Sequence, residues 1–154
     1  MERDESLKLE NQTCFAIYAC AKEITKLYHP VLKELGLTYT QYITMLALWE
    51  RDRVSVKELG ERLYLDSGTL TPLLKKLETQ GFVSRIRDRS DERQLLIELT
   101  DAGRALKERA YDVPEKVFCQ AGMPASELMK VRVQMTELMR AIHPVAAVAE
   151  TTPD

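Results

Sequence analysis

Ser67, Thr69 and Thr71 put three short hydroxyl side chains into the first turns of an amphipathic segment, Tyr64 to Glu78, whose second half carries Lys75 and Lys76. Hydroxyls at the start of a helix can donate to and accept from base edges, and a threonine methyl can meet the methyl of thymine. The unpaired main-chain N–H groups and positive dipole end of the same turn favour phosphate. The chemistry on offer is the reading of duplex DNA. Asp66 or Ser67 caps the segment and Gly81 closes it, while Leu70, Leu73, Leu74 and Leu77 form its inner face. Pro72 falls at the fifth or sixth helical position, early enough for its missing N–H to cost little. At about 100° per residue, only one of Lys75 and Lys76 can face a duplex squarely.

A second cationic group follows. Val83–Arg87 and Leu95–Leu99 alternate around the polar tip Asp88–Arg93, which predicts a β-hairpin. Arg87, Arg89 and Arg93 surround that tip, and an arginine there can enter the narrow minor groove, where negative potential is strongest. Asp91 is placed to hold the Arg93 guanidinium by a charge-assisted hydrogen bond. Residues 75–93 carry six Lys/Arg against four Asp/Glu, while the other 135 residues carry 16 and 20. A basic tip on an acidic body fits a focused phosphate contact.

The remaining reactive groups are the thiols Cys14, Cys20 and Cys119. The thiolate, not the thiol, is the reactive form of such a group. Cys14 and Tyr18 are four residues apart on one helical face and can touch. A phenolic O–H helps such a sulfur by donating to its anion. Cys20 shares a stripe with Ile17, Ile24 and Leu27 and reads as a small packing residue. No Cys-x-x-Cys or Cys/His pair stands at zinc spacing, so neither a metal nor a cofactor is expected. His29 and His143 precede prolines and read as turn residues, and Met129, Met135 and Met139 read as core or interface filler.

Periodicity outlines the elements that must position these groups. Residues 6–29 read as a long helix with two apolar stripes, Ile17, Cys20, Ile24, Leu27 and Cys14, Tyr18, Ala21, Thr25, Tyr28. Two faces to bury on one helix call for a partner beyond its own domain, and an intersubunit interface supplies one. Pro30 is expected to interrupt this helix and Gly36 to close a short turn. Thr38 caps a helix over 39–51, with Tyr42, Met45, Leu46, Leu48 and Trp49 wholly or partly inward. Ser55 and Glu58 form a capping box for Val56–Leu63. Thr100 caps a helix expected to run to about Cys119, which Gly122 and Pro124 break before a last helix from about Ala125 to Ile142.

The expected fold is mainly α with a small β-hairpin: one winged helix-turn-helix domain over 1–154. The DNA reader covers about 38–99, dimerisation helices cover 6–36 and 100–143, and 144–154 is a flexible tail. At 154 residues and 45% hydrophobic content a proper core is expected. The start Met-Glu-Arg-Asp-Glu-Ser has no apolar signal region, and no run is long enough to span a bilayer, so no membrane contact and a cytoplasmic location are expected. Three widely spaced cysteines argue against a structural disulfide framework in a reducing compartment.

The string Tyr64-Leu65-Asp66-Ser67-Gly68-Thr69-Leu70-Thr71-Pro72, followed by Gly81-Phe82-Val83-Ser84-Arg85 and Asp91-Glu92-Arg93, resembles the winged-helix MarR family of bacterial repressors. Residues Asn11-Gln12-Thr13-Cys14-Phe15-Ala16-Ile17-Tyr18 and Leu37-Thr38-Tyr39-Thr40-Gln41-Tyr42 resemble its organic-hydroperoxide-sensing OhrR branch. The likeness runs from about residue 7 to 142. It implies a homodimer, joined through the N-terminal and last two helices, on a pseudo-palindromic double-stranded operator. It implies that Cys14 is the peroxide-reactive thiol, and that Tyr28 and Tyr39 hydrogen-bond its sulfur with Tyr18 nearby. It also implies that Arg93 is the minor-groove arginine with Asp91 its holder. The position of Cys119 resembles the resolving cysteine of two-cysteine members, which implies an intersubunit Cys14–Cys119 disulfide after oxidation.

Cys14 and Tyr28 lie about 21 Å apart on a straight helix at 1.5 Å per residue. A site that uses both therefore needs an antiparallel partner helix. The expected function is a redox-sensing repressor, not an enzyme, that binds its operator when reduced and releases it when an organic hydroperoxide oxidises Cys14. Three other readings stand beside it: a repressor released by a small aromatic ligand, a thiol peroxidase, and a protein-interaction module. The peroxidase reading lacks a thioredoxin-like βαβ pattern and an Arg or His near Cys14 to polarise a peroxide.

Overall fold

The computed structural model describes residues 3–143, so the tail expected over 144–154 lies outside it. Four side chains open four helices as their types predict. Thr38 Oγ1 accepts the Gln41 N–H at 3.3 Å, while Gln41 Oε1 accepts the Thr38 N–H at 2.9 Å. Ser55 and Glu58 make the same reciprocal pair at 3.1 and 2.8 Å. Asp66 Oδ1 accepts the Thr69 N–H at 2.8 Å, and Thr100 Oγ1 accepts that of Gly103 at 3.0 Å. These caps begin α2 (Tyr39–Glu50), α3 (Val56–Leu63), α4 (Ser67–Thr79) and α5 (Asp101–Ala110).

Helix α1 (Thr13–Lys33) differs at both ends from the helix expected over 6–29. Before it, Glu5–Leu7 and Leu9–Asn11 are two short 3-10 turns. Asn11 Nδ2 donates to the Glu5 carbonyl at 2.7 Å, and Gln12 Nε2 donates to the Ser6 and Lys8 carbonyls at 2.8 and 3.0 Å. These side chains satisfy the turn carbonyls, so the α-helix starts only at Thr13. At the other end, α1 runs through Pro30. An interior proline costs about 3 kcal/mol. Val31 and Leu32, just beyond it, are buried in the core, and burial of such side chains at about 1.5–3 kcal/mol each offsets that cost. Gly36, at φ +71°, then ends the turn.

The hairpin forms over the expected residues: β2 (Val83–Arg87) pairs antiparallel with β3 (Leu95–Leu99), Val83 opposite Leu99 and Arg87 opposite Leu95. A two-residue strand, β1 (Val54–Ser55), adds to β3 on its other side, making a three-stranded sheet of order β1-β3-β2. Buried Val54 and Ile97 face each other across that pair. Leu70, Leu73, Leu74 and Leu77 of α4 enter the core with Tyr42, Met45 and Leu48 of α2 and Leu59 of α3. Leu46 faces out, at 38% exposure.

The helix expected from Thr100 to about Cys119 is two: α5 stops at Ala110, and α6 (Val113–Ala121) starts after a turn. Pro114 accounts for the break, because it cannot donate to the Ala110 carbonyl and its ring crowds that oxygen. Gly122, at φ +63°, ends α6, and Pro124 precedes α7 (Ala125–Ile142). The chain divides into two compact units, one up to Val117 and one from Phe118 onward. Within the second, α7 buries no residue, and Met129, Met135, Leu138, Met139 and Ile142 are exposed.

Candidate functional site

Helix α4 presents Ser67, Thr69, Thr71, Lys75 and Lys76 to solvent while its leucines hold the opposite face. The Thr69 hydroxyl donates to Asp66 Oδ2 at 3.3 Å, which fixes that side chain and leaves its oxygen able to accept. Pro72 is the sixth residue of α4 and exposed, so the missing hydrogen bond falls on the carbonyl of Gly68 at the solvent-facing start. Glu78, near the end of α4, pairs with Arg85 of β2: Arg85 Nη2 and Nε donate to Glu78 Oε2 at 2.8 and 2.9 Å. That pair links the helix to the hairpin and, with the Arg85 guanidinium as the main cause, holds the Glu78 carboxyl below its ordinary range.

The hairpin tip is built by side-chain turns. Asp88 Oδ1 accepts the Ser90 N–H and hydroxyl at 2.9 and 2.8 Å, and its carboxyl is held low chiefly by the N–H. Arg87 Nη1 donates to the Glu92 carbonyl at 3.0 Å. Asp91 does not hold the Arg93 guanidinium as expected: its Oδ1 accepts the Arg93 main-chain N–H at 3.1 Å. The bond to a main-chain group two residues on closes a local turn, which a five-donor fork on a long side chain cannot do. Arg87, Arg89 and Arg93 are all exposed.

Asp52, read in the sequence only as part of a charged turn, positions this hairpin. Its Oδ1 accepts the N–H groups of Arg53 and Leu99, each at 2.8 Å, and its Oδ2 accepts from Arg104 Nη2 at 2.8 Å. One carboxylate thereby joins the α2–β1 turn, the end of β3 and α5. Two of its three partners lie 47 and 52 residues away, so no local pattern announces it.

The thiols are all exposed. Cys14 is the second residue of α1, in the turn braced by Asn11 and Gln12, with Phe15 exposed beside it. Tyr18, 59% exposed, lies on the same helix; its hydroxyl is 3.4 Å from Lys22 Nζ, and its ring is 6.4 Å from that of Phe15. Cys20, expected to pack, faces solvent on a helix whose buried residues are only Val31 and Leu32. Cys119 lies in the last turn of α6.

Tyr28 and Tyr39 come together as a pair: their rings meet edge-on at 5.0 Å. Tyr42 joins them with its ring 5.8 Å from that of Tyr28. Burial first, then the neighbouring Tyr39 phenol, pushes the Tyr28 hydroxyl above its ordinary pKa, and burial does the same for Tyr39. Because α1 is continuous from Thr13 to Lys33, Cys14 and Tyr28 stay about 21 Å apart along one chain. A single chain therefore holds two separate parts: Cys14 with Phe15 and Tyr18, and the tyrosine cluster.

Among the described residues no group of three or more His, Cys, Asp or Glu could hold a metal ion, and no helix is long and apolar enough to cross a membrane.

Comparison with known proteins supplies the context. Residues 26–110 match the SarA/Rot family of transcriptional regulators. The chain is 45% identical over 139 residues to an organic hydroperoxide resistance transcriptional regulator of Bacillus subtilis, covering 90% of this chain and 95% of that protein. Among solved structures it is similar to reduced AbfR bound to DNA, with 36% identity, a TM-score of 0.77, and 94% and 99% of the two chains covered. It is also similar to AbfR with a disulfide formed, at 36% identity and a TM-score of 0.61 over 89% and 96% of the chains. These proteins are transcription regulators rather than enzymes, which sets the thiol-peroxidase reading aside. The caps, the α3–α4 pair and the hairpin beyond it are the winged helix-turn-helix of that class. The chain belongs to the MarR-type winged-helix transcription regulators, in the branch of the organic hydroperoxide resistance regulators.

Proposed function

We propose that this chain is a redox-switched repressor that binds operator DNA when Cys14 is reduced and releases it when an organic hydroperoxide oxidises that thiol. The observation that carries the reading is Cys14 itself, exposed in the first turn of α1 beside Phe15, in a chain closely related to an organic hydroperoxide resistance regulator. The thiolate sulfur attacks the terminal oxygen of the peroxide. An S–O bond forms, the O–O bond breaks, and the alkoxide leaves with a proton as the alcohol, so sulfur is oxidised to a sulfenic acid and the peroxide reduced.

The reading needs a homodimer. Cys14 is too far from Tyr28 and Tyr39 of its own chain, and an antiparallel partner helix brings the two parts together. Phe15, Tyr18 and Ile24 on α1, and separately the bare apolar face of α7, are the surfaces a second copy would cover. Tyr28 and Tyr39, with Tyr18, then donate to the sulfur anion. The Cys119 thiolate of the other subunit attacks the sulfenic sulfur, releases water and closes an intersubunit disulfide. AbfR, solved both reduced on DNA and with a disulfide formed, supports a cycle of this kind.

On DNA, Ser67, Thr69, Thr71 and Lys75 meet the major groove and its phosphates, and Arg93, with Arg87, meets the minor groove from a tip shaped by Asp91. Residues 38–99 act as the reader, with 6–36 and 100–143 as dimerisation helices of one cytoplasmic regulator.

The test is operator binding of reduced protein titrated with cumene hydroperoxide and then dithiothreitol, with Cys14→Ser alongside. Reversible release in the wild type and none in the variant is the expected result. Release in both, or in neither, removes Cys14 from the mechanism and favours a repressor governed by a small aromatic ligand.

A further inference from the structure

Glu78 stands in the last turn of α4 and Arg85 at the middle of β2, opposite Ile97. Between them the chain turns at Gly81, φ +82°. Arg85 closes on the Glu78 carboxylate with three donors. Its Nη2 and Nε reach Oε2 at 2.8 and 2.9 Å, and its main-chain N–H reaches Oε1 at 3.3 Å. The two side chains are 33% and 35% exposed, and among the described residues theirs is the one ion pair between α4 and the hairpin. A planar guanidinium that grips a carboxylate through two nitrogens fixes direction as well as distance, which a single-donor surface pair does not.

We propose that Glu78 and Arg85 are positioning residues for DNA reading: their pair holds the hairpin tip at a set distance from the first turns of α4, so that both meet one duplex in register. This rests on the DNA contacts proposed above and does not depend on the redox switch. A duplex sets the spacing between a major groove and the minor groove beside it. A reader that places Ser67, Thr69 and Thr71 in one and Arg93 in the other must hold a matching spacing. On this assignment Arg85, one of the six basic residues of 75–93, serves Glu78 and not phosphate. The pair also gives the proposal a sign. Removing the Glu78 charge makes the reading surface less acidic, which by attraction alone tightens binding to DNA. Loss of a positioning pair weakens it.

The experiment uses the full-length reduced protein and two duplexes of equal length: an operator selected by the wild type from a random pool, and its scrambled sequence. Affinity for both is measured against salt for wild type, Glu78→Gln, Arg85→Lys, the double variant and Arg93→Ala, well below each thermal midpoint. Glu78→Gln and Arg85→Lys are each expected to bind the operator about threefold or more weakly, with affinity for the scrambled duplex not reduced. Their effects should not add, so the double variant is no weaker than the weaker single variant. The salt slope of Arg85→Lys stays at the wild-type value, because no phosphate contact is lost. Glu78→Gln that binds the operator as tightly as wild type, or more tightly, overturns the proposal. So does a loss shared equally by both duplexes, the mark of a pair that only stabilises the fold. If Arg93→Ala also binds the operator like wild type, the hairpin is off the DNA, and the groove contacts proposed above fail together with this inference. If Arg93→Ala weakens binding and the other variants do not, only the positioning role fails.

Discussion

Asp91 Oδ1 accepts the main-chain N–H of Arg93 at 3.1 Å, and the Arg93 guanidinium makes no ion pair with any described residue. The Gln94 N–H donates to the Asp91 carbonyl at 2.9 Å, so Asp91 closes the tip from both its side chain and its main chain. The guanidinium is exposed at the tip of the hairpin. Arg93→Ala is expected to weaken operator binding more than about tenfold and to lower the slope of log affinity against log salt by about 0.9, one phosphate-type contact. Asp91→Ala keeps the Arg93 guanidinium and loosens its mount, so it should cost less and leave the slope nearly unchanged. Fluorescence anisotropy at several salt concentrations measures both. An unchanged slope in Arg93→Ala would place the arginine off the DNA.

Acid should unfold the protein through identifiable carboxylates. The Ser55 N–H, then the Ser55 hydroxyl, hold Glu58 below its ordinary value of 4.5, and the Arg85 side chain does so for Glu78. A carboxyl whose folded pKa is lowered stabilises the fold fully above its unfolded value and loses that contribution as pH falls through the lower, folded value. The urea midpoint of wild type should therefore drop as pH falls below about 4.5. Glu58→Gln and Glu78→Gln should lower it at pH 7 and converge on wild type once the wild-type carboxyls are protonated. Parallel curves for wild type and variants across that window would show that these bonds contribute nothing.

Gly103 is the most crowded of the described glycines. A Cβ there would lie 2.0 Å from the Phe82 carbonyl oxygen and 3.3 Å from Leu99 Cδ2. The Phe82 carbonyl also accepts the Thr100 N–H at 3.1 Å, and the Gly103 carbonyl accepts the Trp49 indole N–H at 2.9 Å. Gly103→Ala must part α5 from the start of the hairpin and is expected to cost about 3 kcal/mol, as overpacking of a tight contact does. Urea unfolding checks it; a loss below about 1 kcal/mol would mean that α5 can move away freely.

That contact also marks the boundary of what the sequence displays. Caps act within three residues, so Thr38, Ser55, Asp66 and Thr100 could be read directly, and alternation made β2 and β3 legible to the residue. Pro30 misleads because its local penalty is outweighed by burial of Val31 and Leu32, a property of the assembled core. Pro114 carries a local rule sufficient to place the break after Ala110. The strand Val54–Ser55 is too short to show a period. In the candidate site the exposed face of α4 is legible from type and spacing, while Cys14 stands out only through the family resemblance. Asp52 is not legible, because two of its partners lie on other elements. Asp91 was found, but its partner is the main chain of Arg93, since a short turn satisfies the nearest donor first.

The second thiol offers the sharpest division between oxidised states. Cys119 is exposed in the last turn of α6, just ahead of Gly122 at φ +63°, where the helix ends. A disulfide needs Cα atoms within about 7 Å, so closing one on Cys14 of the partner subunit depends on how far this end of the helix can travel. Treated with cumene hydroperoxide, wild type is expected to run as a covalent dimer on a non-reducing gel, and Cys119→Ser as a monomer. The variant should still lose its Cys14 thiol at the wild-type rate, because the first step does not use Cys119. Added glutathione should then cap the stranded sulfenic acid as a mixed disulfide. Cys20 is the internal competitor, being exposed on the same helix as Cys14. A covalent dimer that persists in Cys119→Ser and disappears in Cys20→Ser would transfer the resolving role to Cys20. The disulfide would then join two α1 helices instead of α1 to α6.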